Sequence, residues 1–494
     1  MSENNLKQQA TSGMMWTALQ KYSTMFMSFV TGIILARLLT PYDYGCIGML
    51  SIFMVLADSF IDGGFGSALI QKKRPTQTDY STIFYWNLGV AVVMYVILFS
   101  FAPLISRFYN IPILCDVLRV QGVVLFTHAL NLIQRNQLQK KLNFKTIAIV
   151  NILCTLTTMT IGIVLAYMGF GVWTLVIQNI SGSVFISLFF WFYVKWRPSL
   201  VFSWSSFKEL FGFGFYMFLT NLVNNFAGKV QGLLIGRVYT PVTMGYYSKA
   251  ESTEQLASTS VSGIMTQVTY PLYAEVQDDK NALANMIKRM TVTLAYITFP
   301  LMFVLMLCAK PVFVLLYSDR WLLSVPYFQI LCFAGLAGCL QSVNLQAISA
   351  IGKSKTMLIW TLLKRLVGVG SIVIGLIVWG MKGLLIGVII NSWFSYFVNI
   401  SLVSKHVGYR SKRQLLDLFP VAIVSLVAAA VSFGFGYVLH LNLYLDGLMK
   451  VLVFFGIYIG WSFVFKPEAY KYFLTVLPLL TTRLFRKKHV NVIR

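Results

Sequence analysis

Acidic residues are scarce in this chain: 16 Asp and Glu stand against 40 Lys and Arg in 494 residues. Charge of either sign is sparse, at 11% of residues, while 57% are hydrophobic and the mean hydropathy is +0.72. An ordinary soluble domain is about 25% charged, so the composition excludes one and points to a membrane protein. The six cysteines (Cys46, Cys115, Cys154, Cys308, Cys332 and Cys339) are scattered, with neither metal-ligand nor disulfide spacing. No GxxxxGKS loop is present, which excludes an intrinsic ATPase. The largest outward connections, 107–115 and 309–322, are short and hold no histidine; Asp116 at the edge of the first and Asp319 in the second are single acids. They offer no catalytic loop, and the chain is not expected to be an enzyme.

What is present is apolar sequence in span-length runs. Fourteen helices are predicted, at 13–38, 42–62, 82–106, 116–135, 144–168, 171–194, 211–238, 243–268, 288–308, 323–350, 355–379, 383–404, 415–440 and 447–465. The opening MSENNLKQQATSG is polar and lacks a cleavable signal. Most Lys and Arg fall in alternate loops, around Lys72–Arg74, Arg135–Lys145, Lys195–Arg197, Lys405–Arg413 and the segment from Lys466. The positive-inside rule then places both termini in the cytoplasm, with the chain multi-pass in its membrane. The net charge of +24 sits in bilayer-flanking loops and forms no continuous groove, so nucleic acid is not an expected partner. The tail RLFRKKHVNVIR reads as an anchor on the lipid surface.

One motif recurs 200 residues apart. IILARLLTPYDYGCIGM answers LLIGRVYTPVTMGYYSK, with Arg37/Arg237, Thr40/Thr240, Pro41/Pro241 and Gly45/Gly245 in the same register. Each copy joins two apolar runs, so both form the same tight turn in a duplicated bundle. A weaker echo pairs Phe144-Lys145-Thr146 with Ser354-Lys355-Thr356, and Met168-Gly169-Phe170-Gly171 with Gly380-Met381-Lys382-Gly383. Six spans separate the copies, so both halves keep one orientation. The expected fold is an all-α polytopic membrane protein of about 14 transmembrane helices, in two parallel six-helix repeats plus a C-terminal helix pair. The lobes are 1–200 and 201–405, the extra pair 406–465 and the basic cytoplasmic tail 466–494, with ligand expected in a cleft between the lobes.

Ionisable groups inside a bilayer are costly and default to functional hypotheses. They concentrate in the helices expected to line the cleft. The candidate cavity cations are Lys21, Lys229, Lys249, Lys364 and Arg365, and the candidate polar groups are Asn221, Asn224, Asn225 and Gln255. Asp58, Glu251 and Glu254 are candidate coupling acids or ion-pair partners, with Asp62 near a helix end. Such an excess of cations suits an anionic headgroup, most naturally a pyrophosphate. The same residues also suit structural ion pairs and snorkelling side chains. Arg37 and Arg237, at outer helix ends, equally suit headgroup anchoring or carbonyl capping. His128 in LFTHALNLIQRNQL reads as a hydrogen-bonded interior group rather than a proton relay. No metal site and no cofactor is called for; H+ or Na+ coupling is left open.

The opening GMMWTALQKYSTMFMSFVTGIILARLLTPYDYGCIGM and the downstream GFGSALIQKKRPTQTDYSTIFYWN resemble polysaccharide flippases of the multidrug/oligosaccharidyl-lipid/polysaccharide exporter superfamily, in the branch of colanic-acid and teichuronic-acid exporters. The turn ARLLTPYDYG and the run Asp62-Gly63-Gly64-Phe65-Gly66 are the best-matching pieces, and the likeness covers about residues 10–405. The resemblance implies alternating access and a substrate carried on undecaprenyl pyrophosphate, moved from the cytoplasmic to the outer leaflet for surface polysaccharides such as lipopolysaccharide, capsule or exopolysaccharide. It implies polyprenyl-pyrophosphate-linked oligosaccharide, membrane lipids and the polysaccharide polymerase machinery as partners. Basic cavity residues would hold the pyrophosphate, a role open to Lys21, Lys229 and Arg365. A cation-coupled multidrug exporter of the same superfamily is the alternative.

Overall fold

A computed structural model of the chain describes residues 3–439 and 441–474. Most of the basic tail, from 475 onward, lies outside the described residues. The described secondary structure is helical: α1 (Glu3–Leu38), α2 (Pro41–Asp62), α3 (Phe65–Gln71), α4 (Gln77–Tyr109), α5 (Ile113–Gln121), α6 (Val124–Lys140), α7 (Phe144–Tyr167), α8 (Val172–Tyr193), α9 (Trp204–Val238), α10 (Pro241–Glu275), α11 (Lys280–Leu307), α12 (Ala309–Tyr317), α13 (Val325–Ala350), α14 (Ser354–Val407), α15 (Ser411–Leu439) and α16 (Leu443–Phe465), with a 3-10 turn at Asp319–Ser324. The all-α polytopic class is as expected.

Among the described residues, ten helical stretches are long and apolar enough to cross a membrane, not fourteen. The helices α1, α9 and α10 are absent from that set, and they are the ones richest in the polar groups singled out above. The bent α14 counts once, although the sequence divides it in two. The segment 116–135 is interrupted: α5 and α6 meet at Gly122 and Val123. The short α3 continues the stretch Pro41–Gln71 begun by α2, while the short α12 falls between two of the ten.

The chain packs as two compact units, Met1–Ser248 and Lys249–Arg494. In the first, α7 packs against α1 and α8, α6 against α8 and α4, and α9 against α2, α3 and α4. A core of Phe65, Phe84, Ile133, Phe207 and Leu210 closes the end near α3, where Trp86 meets Phe207 at a centroid distance of 4.3 Å. In the second, α11 is the central helix, packed on α13, α15 and α16. Its most apolar window is 61% buried, against 17% for peripheral α16. Outward faces carry bare apolar side chains such as Phe192 and Ile377, 81% and 77% exposed, as expected where lipid rather than water is the solvent.

The C-terminal helix pair is stitched onto α11. The Tyr458 hydroxyl donates to the Tyr296 carbonyl at 2.9 Å, and the Tyr296 hydroxyl donates to Ser462 at 2.8 Å. At one end, Lys288 pairs with Asp417 at 3.4 Å and Glu468 at 2.6 Å.

The weaker sequence echo has a backbone counterpart. Gly171, between α7 and α8, has φ 54 and ψ −130; Gly380, inside α14, has φ 60 and ψ −138. This region is open essentially to glycine alone, so both copies turn a helix pair on the same device. The conformational partner of Gly171 is thus Gly380, three residues before the glycine that the sequence pairing puts there.

Candidate functional site

The duplicated turn motif packs against its own copy. Thr40 is the N-cap of α2 in a reciprocal capping box: its backbone N–H donates to Asp43 at 2.8 Å, and the Asp43 N–H donates to the Thr40 hydroxyl at 3.4 Å. Thr240 does the same job for α10, accepting from the Thr243 N–H at 3.2 Å. Pro41 and Pro241 each occupy the first helical position, where no intrahelical N–H is lost. Gly45 and Gly245 lie one turn further on, where the two helices cross. A Cβ on Gly45 would overlap the carbonyl of Pro241, and one on Gly245 would overlap the carbonyl of Pro41. The contact is reciprocal, and it explains why both copies need glycine here. Arg37 and Arg237 sit in the last turns of α1 and α9, where a cation meets unpaired carbonyls. Arg237 also lies over the Phe108 ring at 5.1 Å.

Among the described residues, the first unit has two neighbouring polar cavities. One, of about 630 Å³, is lined by Thr31 and Tyr44, by Gln121, and by Thr158, Gln178 and Asn179 of α7 and α8. The other, of about 530 Å³, is lined by Asp62 and Ser67, and by Asn131, Arg135, Asn136 and Gln139 of α6. Asp58, His128 and Ile186 line both. Asp58 accepts from, or shares a proton with, His128 Nδ1 at 2.8 Å. The sequence singled out Asp58 and His128 separately; 70 residues apart, nothing in their spacing announces the pair. Asp62 is the last residue of α2, and Gly63 and Gly64, both at positive φ, turn the chain into α3.

Lys21 on α1 and Lys229 on α9 are half-buried, as are Asn224 and Asn225, while Asn221 is exposed. Asn225 donates to Ser59 of α2 at 2.8 Å. None of the five candidate cations lines either cavity of the first unit.

In the second unit, Lys249 is 4% exposed, with its ammonium 4.0 Å from the centre of the Tyr317 ring and 5.8 Å from that of Trp321. Glu251 is half-buried, Gln255 exposed, and Glu254 buried against Gly335. Lys364 is buried and donates to Asn399 Oδ1 at 2.8 Å, tying the two arms of α14 together; Arg365 beside it is half-buried.

Cationic clamps that the sequence reading overlooked lie at the ends of α3 and α6. Lys72 bridges Asp79 of α4 at 3.1 Å and Glu209 of α9 at 2.8 Å. Burial pulls its pKa down, but the hydrogen bonds to Glu209 and Asp79 outweigh this and raise it above the ordinary 10.5. Lys140 donates to the Leu69 and Ile70 carbonyls, at 3.1 and 2.9 Å, and to that of Lys72, closing the end of α3.

A family model described as "Polysaccharide biosynthesis protein" matches residues 34–326. The chain belongs to this polysaccharide biosynthesis family. Within reach of it lie the teichuronic acid biosynthesis protein TuaB of Bacillus subtilis (strain 168), 25% identical over 358 residues (72% of this chain, 74% of that one), and the lipopolysaccharide biosynthesis protein WzxC of Escherichia coli (strain K12), 25% identical over 443 residues (88% and 89%). Among solved structures, a lipid II flippase MurJ in an inward closed conformation superposes with a TM-score of 0.73 at 16% identity, over 91% of this chain and 98% of that one. An inward-facing multidrug resistance MATE transporter of the MOP superfamily gives 0.60 at 16%, over 80% and 98%. These likenesses show the fold: this member of the polysaccharide biosynthesis family is a multi-pass membrane protein that shares its helical fold with those two structures.

Proposed function

We propose that the protein is a flippase that moves undecaprenyl-pyrophosphate-linked oligosaccharide units from the cytoplasmic to the outer leaflet of a bacterial inner membrane, by alternating access, for surface polysaccharide synthesis. The observation that carries this reading is the match of residues 34–326 to a polysaccharide biosynthesis family on a transporter fold. No covalent chemistry is required: substrate is held, carried and released as the populations of two states shift.

The half-buried Lys21, Lys229 and Arg365 are the groups we assign to the pyrophosphate, since each keeps solvent contact. Lys249 and Lys364 are turned to Tyr317 and Asn399 and join such a site only on repacking. Asn221, Asn224, Asn225 and Gln255 supply the hydrogen-bonding chemistry that sugars need. We place both termini in the cytoplasm, a reading that the distribution of Lys and Arg supports.

The test is depletion of the protein in its host, followed by measurement of lipid-linked oligosaccharide with a membrane-impermeant label. Complete repeat units accumulating on the cytoplasmic leaflet are the expected result. Unchanged pools and sidedness, in a strain lacking other exporters of this class, overturn the reading. Complete but unpolymerised units on the outer leaflet assign the protein to polymerisation instead.

A further inference from the structure

The two arms of the bent α14 meet in two different ways. Near the bend they touch backbone to backbone: a Cβ on Gly375 would overlap the carbonyl of Gly383, one on Gly383 that of Gly375, and one on Gly387 that of Ser371. Away from the bend, large side chains replace glycine and a cleft of about 380 Å³ opens. Trp360 of the first arm lines it with Phe394, Phe397, Val398 and Leu402 of the second. The cleft faces outward, for Trp360 is 37% exposed and Phe397 44%. It follows the second arm from Phe394 to His406, about 18 Å at 1.5 Å per residue. That is close to the hydrocarbon depth of one leaflet, about 15 Å.

The two ends of the cleft differ in chemistry. Toward the bend it is aromatic and aliphatic, whereas Lys405 and His406 stand at the far end. Lys353 and Lys280, at the starts of α14 and α11, lie near enough for their charges to act on His406, as does that of Lys405. No Asp or Glu is among the described residues that line the cleft. Asp279, beside Lys280, is committed to the Asn281 and Ala282 N–H groups. The side chains of Lys353, Lys405 and His406 have no hydrogen bond or ion pair among the described residues. Like charges held together in this way repel one another and favour an anion between them. A ligand with an anionic head and an apolar chain of leaflet length satisfies both ends at once. On the topology proposed above, this end of α14 meets the cytoplasmic leaflet, where basic pockets between helices hold acidic headgroups.

We propose that the cleft between the arms of α14 binds one anionic glycerophospholipid, its phosphate on Lys405 and His406 and an acyl chain along Trp360, Phe394 and Phe397. The bound lipid bridges the arms where the glycine contacts have ended, and so acts as a structural part of the hairpin rather than as cargo. The site stands independently of the flippase reading.

The experiment uses the full-length protein in phosphatidylcholine nanodiscs, doped with phosphatidylglycerol brominated on its acyl chains to quench nearby tryptophan. The chain has 11 tryptophans and a net charge of +24 that draws anionic lipid to many places. Trp360 is therefore read as the difference between wild type and Trp360→Phe. A lysine at an anionic headgroup is worth about fivefold in binding, so Lys353 and Lys405 together set the expectation. Brominated phosphatidylglycerol should half-quench Trp360 at a mole fraction about twentyfold below that of brominated phosphatidylcholine. Lys405→Gln/His406→Gln should raise this half-point about fivefold or more, while Lys195→Gln, an exposed lysine outside the cleft, should leave it in place. Equal half-points for the two lipids make Trp360 an ordinary lipid-facing residue and overturn the proposal, as does an unshifted half-point in the double variant. If that variant does not accumulate, Ser401→Leu fills the cleft with the cations intact and should abolish the quenching; quenching that persists overturns the proposal. Relief of quenching by undecaprenyl phosphate at a lower mole fraction than by unlabelled phosphatidylglycerol gives the cleft to the substrate, and also overturns it. None of these results touches the depletion experiment, so the lipid site and the flippase fail separately.

Discussion

At the scale of single residues, the turn motif separates into parts with different costs. Thr40→Ala removes one cap and should destabilise by about 1 kcal/mol. Gly45→Leu forces α2 off α10 and should abolish the thermal transition of the purified protein, or lower it far more than Thr40→Ala; equal shifts would sink the crossing as the reason for glycine. The Lys72 clamp carries a pH signature. Its folded pKa is raised, so its contribution is complete below the ordinary lysine value of 10.5 and disappears as pH climbs through the raised value. Melting temperature compared between wild type and Lys72→Met should therefore differ by a constant amount from neutral pH to about 10 and converge only beyond it. The register of Arg37, Thr40, Pro41 and Gly45 was legible because a turn writes itself in local residue types. The Asp58–His128 pair was not, because two helices brought together by packing leave no trace in spacing.

At the scale of elements, hydropathy located nearly every long helix but misjudged the joints. Gly122 gave no breaker strong enough to announce the α5–α6 interruption, and the seven-residue α3 is set off by the positive-φ turn at Gly63 and Gly64 rather than by an apolar run. Polar helices such as α10 were read from the sequence among the fourteen, yet α10 is too polar to count among the ten stretches apolar enough to cross a membrane. The bend in α14 yields a direct test. Gly380→Val places a β-branched side chain at φ 60 and should cost about 1–3 kcal/mol or more, read as a lower melting temperature, whereas Gly434→Ala, with open space around it, should change little. Asn399→Leu strips the buried Lys364 of its acceptor and should destabilise by about 1.5–3 kcal/mol, the worth of a hydrogen bond to a charged group; a neutral result would mean that the ammonium finds another partner.

At the scale of the whole molecule, the sequence conveyed the class, the apolar pattern and the duplication, while the placement of cations relative to substrate is a tertiary property it does not carry. Lys249 illustrates this: on the helix it looks like a cavity charge, yet it rests on Tyr317 and Trp321. The C-terminal pair, which the family likeness covers least, is fastened to α11 by Tyr458, Ser462 and Lys288. Tyr458→Phe should cost about 1 kcal/mol, and a chain ending at Gly408, which bares the face of α11 that α15 and α16 cover, should lose most of its accumulation in the membrane; normal levels would show that the pair is dispensable to the bundle.

The reciprocal fit of Gly45 and Gly245 has a consequence for how such a chain changes over time. In a symmetric homodimer every substitution at a two-fold contact appears twice, so a bulky residue meets its own copy and the interface has little freedom. Here the same kind of isologous contact is written into one polypeptide with two separately encoded sides. A side chain gained on one copy can be matched by shape lost on the other, an escape that no homodimer has. The duplication thus frees its two halves to diverge as a complementary pair, and the two small residues at the crossing mark where that divergence has not yet been used.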